Sequence, residues 1–364
     1  MTKTHHVLRA VVLVTSALLA AEAVEAQLSY TRGQPVSPAY EGFEVNPDGS
    51  YNLVFGYMNR NWEEEIDVPI GEGNYFAWTT PGGLDDLGRA RYDPSNADMG
   101  QPTHFLPRRN RFTFEVRVPA DFGEEELVWT LTTQGETRRA FASLRQDLLI
   151  DNMVIASETG ALGAGTSDPE TRSNVPPVVE IEGGRTRNAV VGQPVTIVAL
   201  VTDDRLPLSR AARAARAAEQ RAEAARTEGA GPAAADRRPQ AAAVDEDEEE
   251  EVSPEIQALR RALNEPGRVT VGKVVGLHFT WFVYRGMNSA SFEPIQVKPW
   301  EDSRVWMNSP WSPSWVAPPI PEDDRWVVDV TFDEPGTYVL RGRADDGSLY
   351  ADEEITVNVT PLVN

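Results

Sequence analysis

Pro335-Gly336-Thr337-Tyr338-Val339-Leu340-Arg341-Gly342-Arg343-Ala344-Asp345-Asp346-Gly347 decides the fold of this chain. Pro-Gly opens a turn, Tyr338 and Leu340 share one face of a strand, and Asp-Asp-Gly closes it. The same two-residue alternation recurs on either side. Upstream, Trp326, Val328, Val330 and Phe332 fall on one face of a strand, as do Leu277, Phe279, Trp281 and Val283. Further back, Val195, Ile197, Ala199 and Val201 alternate up to Asp203-Asp204, after a Gly192-Gln193-Pro194 turn and a first strand at Val178, Val179 and Ile181. Ile355, Val357 and Val359 complete the set. Period-two runs of this kind are half-buried strands, and several in succession predict two sheets packed face to face.

Trp281 on the third strand, and Tyr338 two residues before Leu340, resemble the buried Trp and the corner Tyr of an immunoglobulin domain. Ala199 and Leu340 stand where the paired cysteines would be. The domain resembles the cysteine-free Ig-like repeats of bacterial surface proteins. It is also similar to polycystic-kidney-disease-type (PKD) repeats, with their Pro-Gly-Thr-Tyr turn and Asp-Asp-Gly ending. The resemblance covers about half of the chain and implies an Ig-like, PKD-like β-sandwich over residues 178–361. It implies no activity, because such folds host many functions. Across its whole length the chain also resembles exported proteins of environmental bacteria.

An insertion, residues 205–268, interrupts the sandwich. Leu208 to Thr227 is rich in Ala, Arg and Glu, and its propensity predicts a helix without an apolar stripe to dock it. Gly229 to Ala243 has a disordered composition, and Asp245 to Glu251 is an unbroken acidic run. Ser253-Pro254-Glu255 starts a second short helix with Ile256, Leu259 and Leu263 on one side.

The region before residue 157 predicts a second β-sandwich, so the expected fold class is all-β with two sandwich domains. Asn46-Pro47-Asp48-Gly49 is a turn, followed by alternating Tyr51, Leu53, Phe55 and Tyr57. Further strands are expected at Ile66 and Val68, at Phe112 to Val118, at Leu127 to Leu131 and at Ala140 to Leu144. Gly71 to Gln101, rich in Gly, Pro and Asp, is expected to be a long loop. Residues 158–177 form a small-residue linker stiffened by Pro176-Pro177.

Lys3 and Arg9 precede an apolar run from Ala10 to Ala21 that is too short to cross a bilayer. Small residues follow, so residues 1–26 are expected to be a cleaved signal peptide and the protein to be secreted or periplasmic. The chain of 364 residues contains no cysteine, so its stability comes from packing or a bound ion rather than disulfides. With 34 basic against 56 acidic residues, its formal charge of −22 disfavours nucleic acid and anionic membranes.

Two surfaces are candidate sites. Asp203 and Asp204 end one strand and Asp345 and Asp346 another, and the sandwich topology puts both at one tip. Four carboxylates there could bind Ca²⁺. They could equally be turn residues, or be neutralised by Arg205, Arg210 or Arg213. No other cofactor is expected. The second surface is aromatic: Trp300, Trp306, Trp311 and Trp315 alternate with prolines, and Phe282 and Tyr284 lie on the outward face of their strand. Such rings could stack on sugars or a peptide, or could cover a sheet or the first domain. The basic stretch from Gly100 to Arg111 is surface charge ahead of a strand, or a seat for an anion or an acidic segment such as Asp245 to Glu251.

Enzyme chemistry has little support. After the signal only His104 and His278 remain, and no metal-ligand spacing, nucleophile elbow or phosphate loop is present. The reading is an exported, non-catalytic binding or structural module that engages a protein or cell-envelope partner. The alternatives are a carbohydrate-binding module using Trp and Tyr, and then a hydrolase with a carboxylate pair.

Overall fold

Asn46 and Gly49 close the first turn through Gly49 N–H donating to the Asn46 carbonyl at 2.9 Å, with Gly49 at φ 84°, a region where a side chain is disfavoured. The turn joins β1 (Val36–Val45) to β2 (Tyr51–Asn59), and β6 (Arg108–Val118) adds to the other edge of β2. The second sheet is β4 (Asn74–Trp78), β7 (Leu127–Thr133) and β8 (Glu136–Ala142), with β7 central. A short pair, β3 (Ile66–Asp67) with β5 (His104–Phe105), closes one end. The computed structural model of the chain describes residues 32–79, 91–158, 172–208, 210–227, 275–286, 290–298 and 318–362.

Between these sheets Phe55, Phe76, Phe114 and Trp129 form an aromatic nucleus with ring centroids 5.1–6.1 Å apart. The Trp129 indole N–H donates to Asn74 Oδ1 at 2.9 Å, so its polar edge is satisfied inside the core. This corrects the expectation of an uninterrupted loop from Gly71 to Gln101. Phe76 in β4 is fully buried, although Gly- and Asp-rich flanks surround the five-residue strand.

In the second domain β10 (Thr186–Val190), β16 (Tyr350–Thr360), β15 (Gly336–Asp345) and β12 (His278–Arg285) form one sheet in that order. The other sheet is β13 (Ala290–Glu293), β14 (Arg325–Phe332), β11 (Val195–Thr202) and β9 (Val178–Ile181). The alternating residues of the sequence fill the core between them. Trp281 is 2% exposed, and Ala199 and Leu340, standing in for the cysteine pair, are fully buried in that core. The Tyr338 hydroxyl donates back to the Glu334 carbonyl at 3.0 Å, which is the corner bond expected of an Ig-like Tyr. The Cβ of any larger residue at Gly342 would clash with the Phe279 ring, so close packing of Phe279 and Trp281 requires glycine there.

A 3₁₀ turn (Gln146–Leu148) and α1 (Asn152–Glu158) follow the first sandwich. The insertion leaves β11 and contains α2 (Arg210–Thr227), whose side chains from 212 to 223 are mostly exposed. That agrees with its lack of an apolar stripe. The signal segment, the acidic run Asp245 to Glu251 and the helix expected around Ile256 lie outside the described residues. Among the described residues no helix is long and apolar enough to cross a membrane.

Candidate functional site at the junction of the two sandwiches

From Trp281 to Tyr284 β12 is apolar on both faces. Phe279, Trp281 and Val283 point into their own sandwich, while Phe282 and Tyr284 point out of it. The outward pair does not form an exposed partner surface. Phe282 is 7% and Tyr284 2% exposed, and both belong to the apolar cluster of the first domain. That corrects the expectation for these two rings: leaving so large an apolar face in water would be costly, and the first sandwich covers it. Trp300, Trp306, Trp311 and Trp315 lie outside the described residues.

Backbone pairing continues the contact. Thr103 N–H donates to the Tyr284 carbonyl at 3.2 Å, and Gly286 N–H donates to Thr103 Oγ1 at 3.1 Å. The free edge of β12 is thereby covered. Arg285 clamps Asp98 with two bonds of 2.7 and 3.1 Å and donates from Nε to the Gln101 carbonyl at 2.8 Å. Lys298, 8% exposed, donates to Asn110 Oδ1 at 2.8 Å.

β15 supplies two buried arginines to the same interface. Tyr338, Leu340 and Ala344 face inward, so the strand pleat turns Arg341 and Arg343 toward the first domain. Arg343, 6% exposed, holds Asp352 through two bonds of 2.6 and 2.7 Å and donates to the Phe112 carbonyl at 2.7 Å. Arg341 donates to the Thr113 carbonyl and pairs with Glu354. Their guanidinium groups lie over the Tyr284 and Tyr350 rings, at 3.5 and 4.2 Å from the centroids respectively. Burial opposes the charged form of Arg343, but Asp352 outweighs it and keeps the arginine ionised. Each buried charge therefore has a carboxylate and a ring in its own domain and a carbonyl in the other.

Along one side of this contact runs a cleft of about 510 Å³. Phe112, Glu115 and their β6 neighbours form one wall; Arg341, Tyr350, Asp352, Glu353 and Glu354 form the other, with Arg185 at the mouth. Phe112 and Tyr350 stack at 6.1 Å and 18°. Arg343 with Asp352, Arg341 with Glu354, and Arg185 with Glu353 are ion pairs. Glu115 accepts from Asn52 Nδ2 at 2.6 Å. Burial, then the charges of Glu44 and Asp352, push its carboxyl above the ordinary range. Burial and Asp151 do the same to Glu44.

The aspartate tip also lies at the junction. Asp346, 1% exposed, accepts from Ser348 N–H at 2.6 Å, Leu349 N–H at 2.7 Å and Asn174 Nδ2 at 3.0 Å. Asp204 accepts from Leu206 N–H at 2.8 Å and from Val175 N–H at 3.2 Å. Asp203 accepts from Arg205 N–H and Asp345 from Gly347 N–H, at 2.8 and 2.7 Å. These are turn bonds two or three residues long, plus two that hold the linker. Among the described residues no three acidic or histidine side chains lie close enough to hold a metal ion. Each aspartate of the expected tip thus caps a turn, a role for which Asp is suited.

In the first domain His104 is buried between two carboxylates, with Nδ1 2.7 Å from Asp67 and Nε2 3.1 Å from Glu65. Burial alone would lower its pKa. The hydrogen bonds and charges of Asp67 and Glu65 outweigh burial and raise it to about 9. The basic stretch is likewise satisfied internally: Arg108 covers the Trp62 ring at 3.7 Å and Arg109 pairs with Glu41 at 2.6 Å.

The fold and junction define an all-β protein of two sandwiches in extensive side-by-side contact, the second Ig-like. No family model and no curated protein matches the chain. Among solved structures it is similar to domains 1–6 of the surface layer protein SbsC, at 8% identity and a TM-score of 0.20, covering 91% of this chain and 28% of that one. It is also similar to the titin fragment A168–169, at 10% identity and a TM-score of 0.18, covering 89% and 99%. The fold assignment rests on the strand pairing described above.

Proposed function

We propose that this chain is an extracytoplasmic, non-catalytic module that engages a protein or cell-envelope partner through its charged insertion, residues 205–268. The observation that carries the reading is the contrast between the insertion's first helix and its base. From 212 to 223 the helix is mostly solvent-exposed, with Arg213, Arg216 and Arg221 on an otherwise acidic protein. Its base is pinned. Asp204 holds the linker at Val175, and on the return side Gly276 N–H donates to the Asp346 carbonyl at 2.7 Å. The two sandwiches, joined through buried arginines and a shared apolar cluster, supply a stiff platform beneath it.

Cosedimentation of the purified chain with isolated bacterial envelopes tests this reading. The intact chain is expected to pellet with envelopes, and a variant in which a short Gly-Ser bridge replaces residues 210–268 is expected to stay in solution while melting normally. Equal partitioning of both proteins refutes it.

A further inference from the structure

The turn caps leave oxygens unused at the aspartate tip of the second sandwich. Linker residues Asn174 and Val175 bridge its two aspartate pairs. Asn174 Nδ2 donates to Asp346 Oδ2 at 3.0 Å, and Val175 N–H donates to Asp204 Oδ2 at 3.2 Å. Asn174 is 6% exposed, and its Oδ1 is buried and accepts no hydrogen bond. Ser348, whose N–H donates to Asp346 Oδ1, is fully buried, and its hydroxyl has no hydrogen-bond partner among the described residues. Oδ1 of half-buried Asp203 is likewise buried and accepts nothing, because its cap uses Oδ2. Buried polar atoms are nearly always paired, so three unpaired oxygens about one tip call for a positive partner.

Electrostatics favours a cation in that role. Asp203, Asp204 and Asp346 form no ion pair among the described residues. Arg205, one of the counter-charges expected from the sequence, pairs instead with Asp324 at 2.9 Å. Its remaining effect on Asp203 is outweighed by burial and by Asp204, which push that carboxyl up to about 6. Burial, with Asp345 adding, pushes Asp346 up to about 7. A cation would stabilise the ionised form of both. The donor set selects its kind. Among the described residues no three acidic or histidine side chains converge, so neutral oxygens must complete the shell. Carboxylate, amide and hydroxyl oxygens carried on turns suit Ca²⁺, which takes many oxygens in flexible geometry, better than Mg²⁺, which demands a strict octahedron.

We propose that this tip binds Ca²⁺ through Asn174 Oδ1, Ser348 Oγ and the Asp346 carboxylate, with Asp203 completing the set from the end of β11. With so few charged ligands, a dissociation constant on the order of 10⁻⁴ to 10⁻³ M is expected. The ion would tie the linker to the stems of the insertion. It does so whatever the insertion engages, and the test below reads the ion alone.

Thermal melting of the full chain in EDTA and in about 10 mM Ca²⁺, with isothermal titration alongside, tests the proposal. Wild type is expected to melt several degrees higher with Ca²⁺ and to show saturable one-site binding. Ser348→Ala removes a hydroxyl that bonds to no described residue. It is expected to melt like wild type in EDTA and to need roughly tenfold more Ca²⁺. Asn174→Asp keeps an oxygen ligand and adds charge, but loses the donor to Asp346. It is expected to melt lower than wild type in EDTA and to gain more from Ca²⁺. Glu124→Gln, at an exposed acid of the first domain, is expected to bind as wild type does. Absence of both a melting shift and a saturable heat overturns the proposal and leaves the unpaired oxygens to buried water. Equal affinity in all four proteins means that the general charge of −22 attracts Ca²⁺ without this site, and overturns it too. In hydrogen exchange, Ca²⁺ is expected to slow Val175 and Ser348, whose N–H groups donate to the tip carboxylates. Unchanged exchange at both overturns the location.

Discussion

His104 makes the stability of the first sandwich fall as the solution becomes alkaline. It is 5% exposed, and its two ring nitrogens face Asp67 at 2.7 Å and Glu65 at 3.1 Å. Both nitrogens donate only when the ring is protonated, so the folded state favours imidazolium and the pKa rises from 6.5 to about 9. A group whose folded pKa is raised stabilises the fold fully below its unfolded pKa and loses that contribution as pH climbs through the folded one. The window here is pH 6.5 to about 9. At about 1.4 kcal/mol per pH unit, the contribution below it is about 3 kcal/mol. Urea unfolding at pH 6, 7.5 and 9.5 measures it, with His104→Gln as the reference. Wild type is expected to lose about 3 kcal/mol more than the variant between the extremes, with most of the loss above pH 7. Asp346, which burial pushes up to about 7, also favours the folded state at lower pH, but it does so equally in both proteins and cancels in the difference. Equal pH slopes for wild type and His104→Gln would refute the reasoning.

Arg343→Ala leaves Asp352 and the Phe112 carbonyl without their partner at the interface and is expected to cost about 3–5 kcal/mol in chemical unfolding. Arg343→Met, which fills a similar volume, is expected to be no better, because Asp352 still loses its nearer counter-charge and keeps only Arg341 at 3.7 Å. Gly342→Ala forces its Cβ against the Phe279 ring and is expected to destabilise the second sandwich by about 1–3 kcal/mol, read as a lower melting temperature. Tyr338→Phe removes the corner bond to Glu334 and keeps the ring, so a loss of about 1 kcal/mol in urea unfolding is expected.

The strands legible in the sequence are those whose pleat separates core from solvent. β11 and β14 alternate cleanly, and Tyr338 with Trp281 marks the Ig-like core before any coordinates. β1 was not legible, because Pro38 and Gly42 interrupt it and a register shift between Tyr40 and Gly42 breaks its period. β4 is short and lies among turn-forming residues, and β10 pairs parallel to β16 with Ala189 as its one buried side chain. The junction was legible only in part. Arg341 and Arg343 occupy the outward face of a strand, where sequence patterning places solvent, and only the packing of another domain makes them buried. One signal did point there: from Trp281 to Tyr284 the strand is apolar on both faces, the mark of an element covered on two sides.

The same junction explains how a sandwich tolerates an insertion longer than either of its own sheets. The outgoing strand β11 ends at Thr202, two residues before Asp204, which is bonded to Val175 of the linker, and the returning strand begins beside Gly276, bonded to Asp346. Asp346 is in turn bonded to Asn174, the residue before Val175. The two stems therefore enter and leave at one place, so the fold must close their ends whatever the length between them. Closure entropy grows only with the logarithm of loop length, and added residues cost little once the stems are fixed. Leu349, in the same turn as Asp346, packs against Val54, Phe112, Ile150 and Ile155 of the first domain. The fastening that anchors the insertion is thus also part of the interface between the sandwiches. Loosening the interface should loosen the stems with it, so Arg343→Ala is expected to speed hydrogen exchange at Val175 and Gly276 as well as along β6. Faster exchange along β6 alone would show that the stems are held independently of the domain contact.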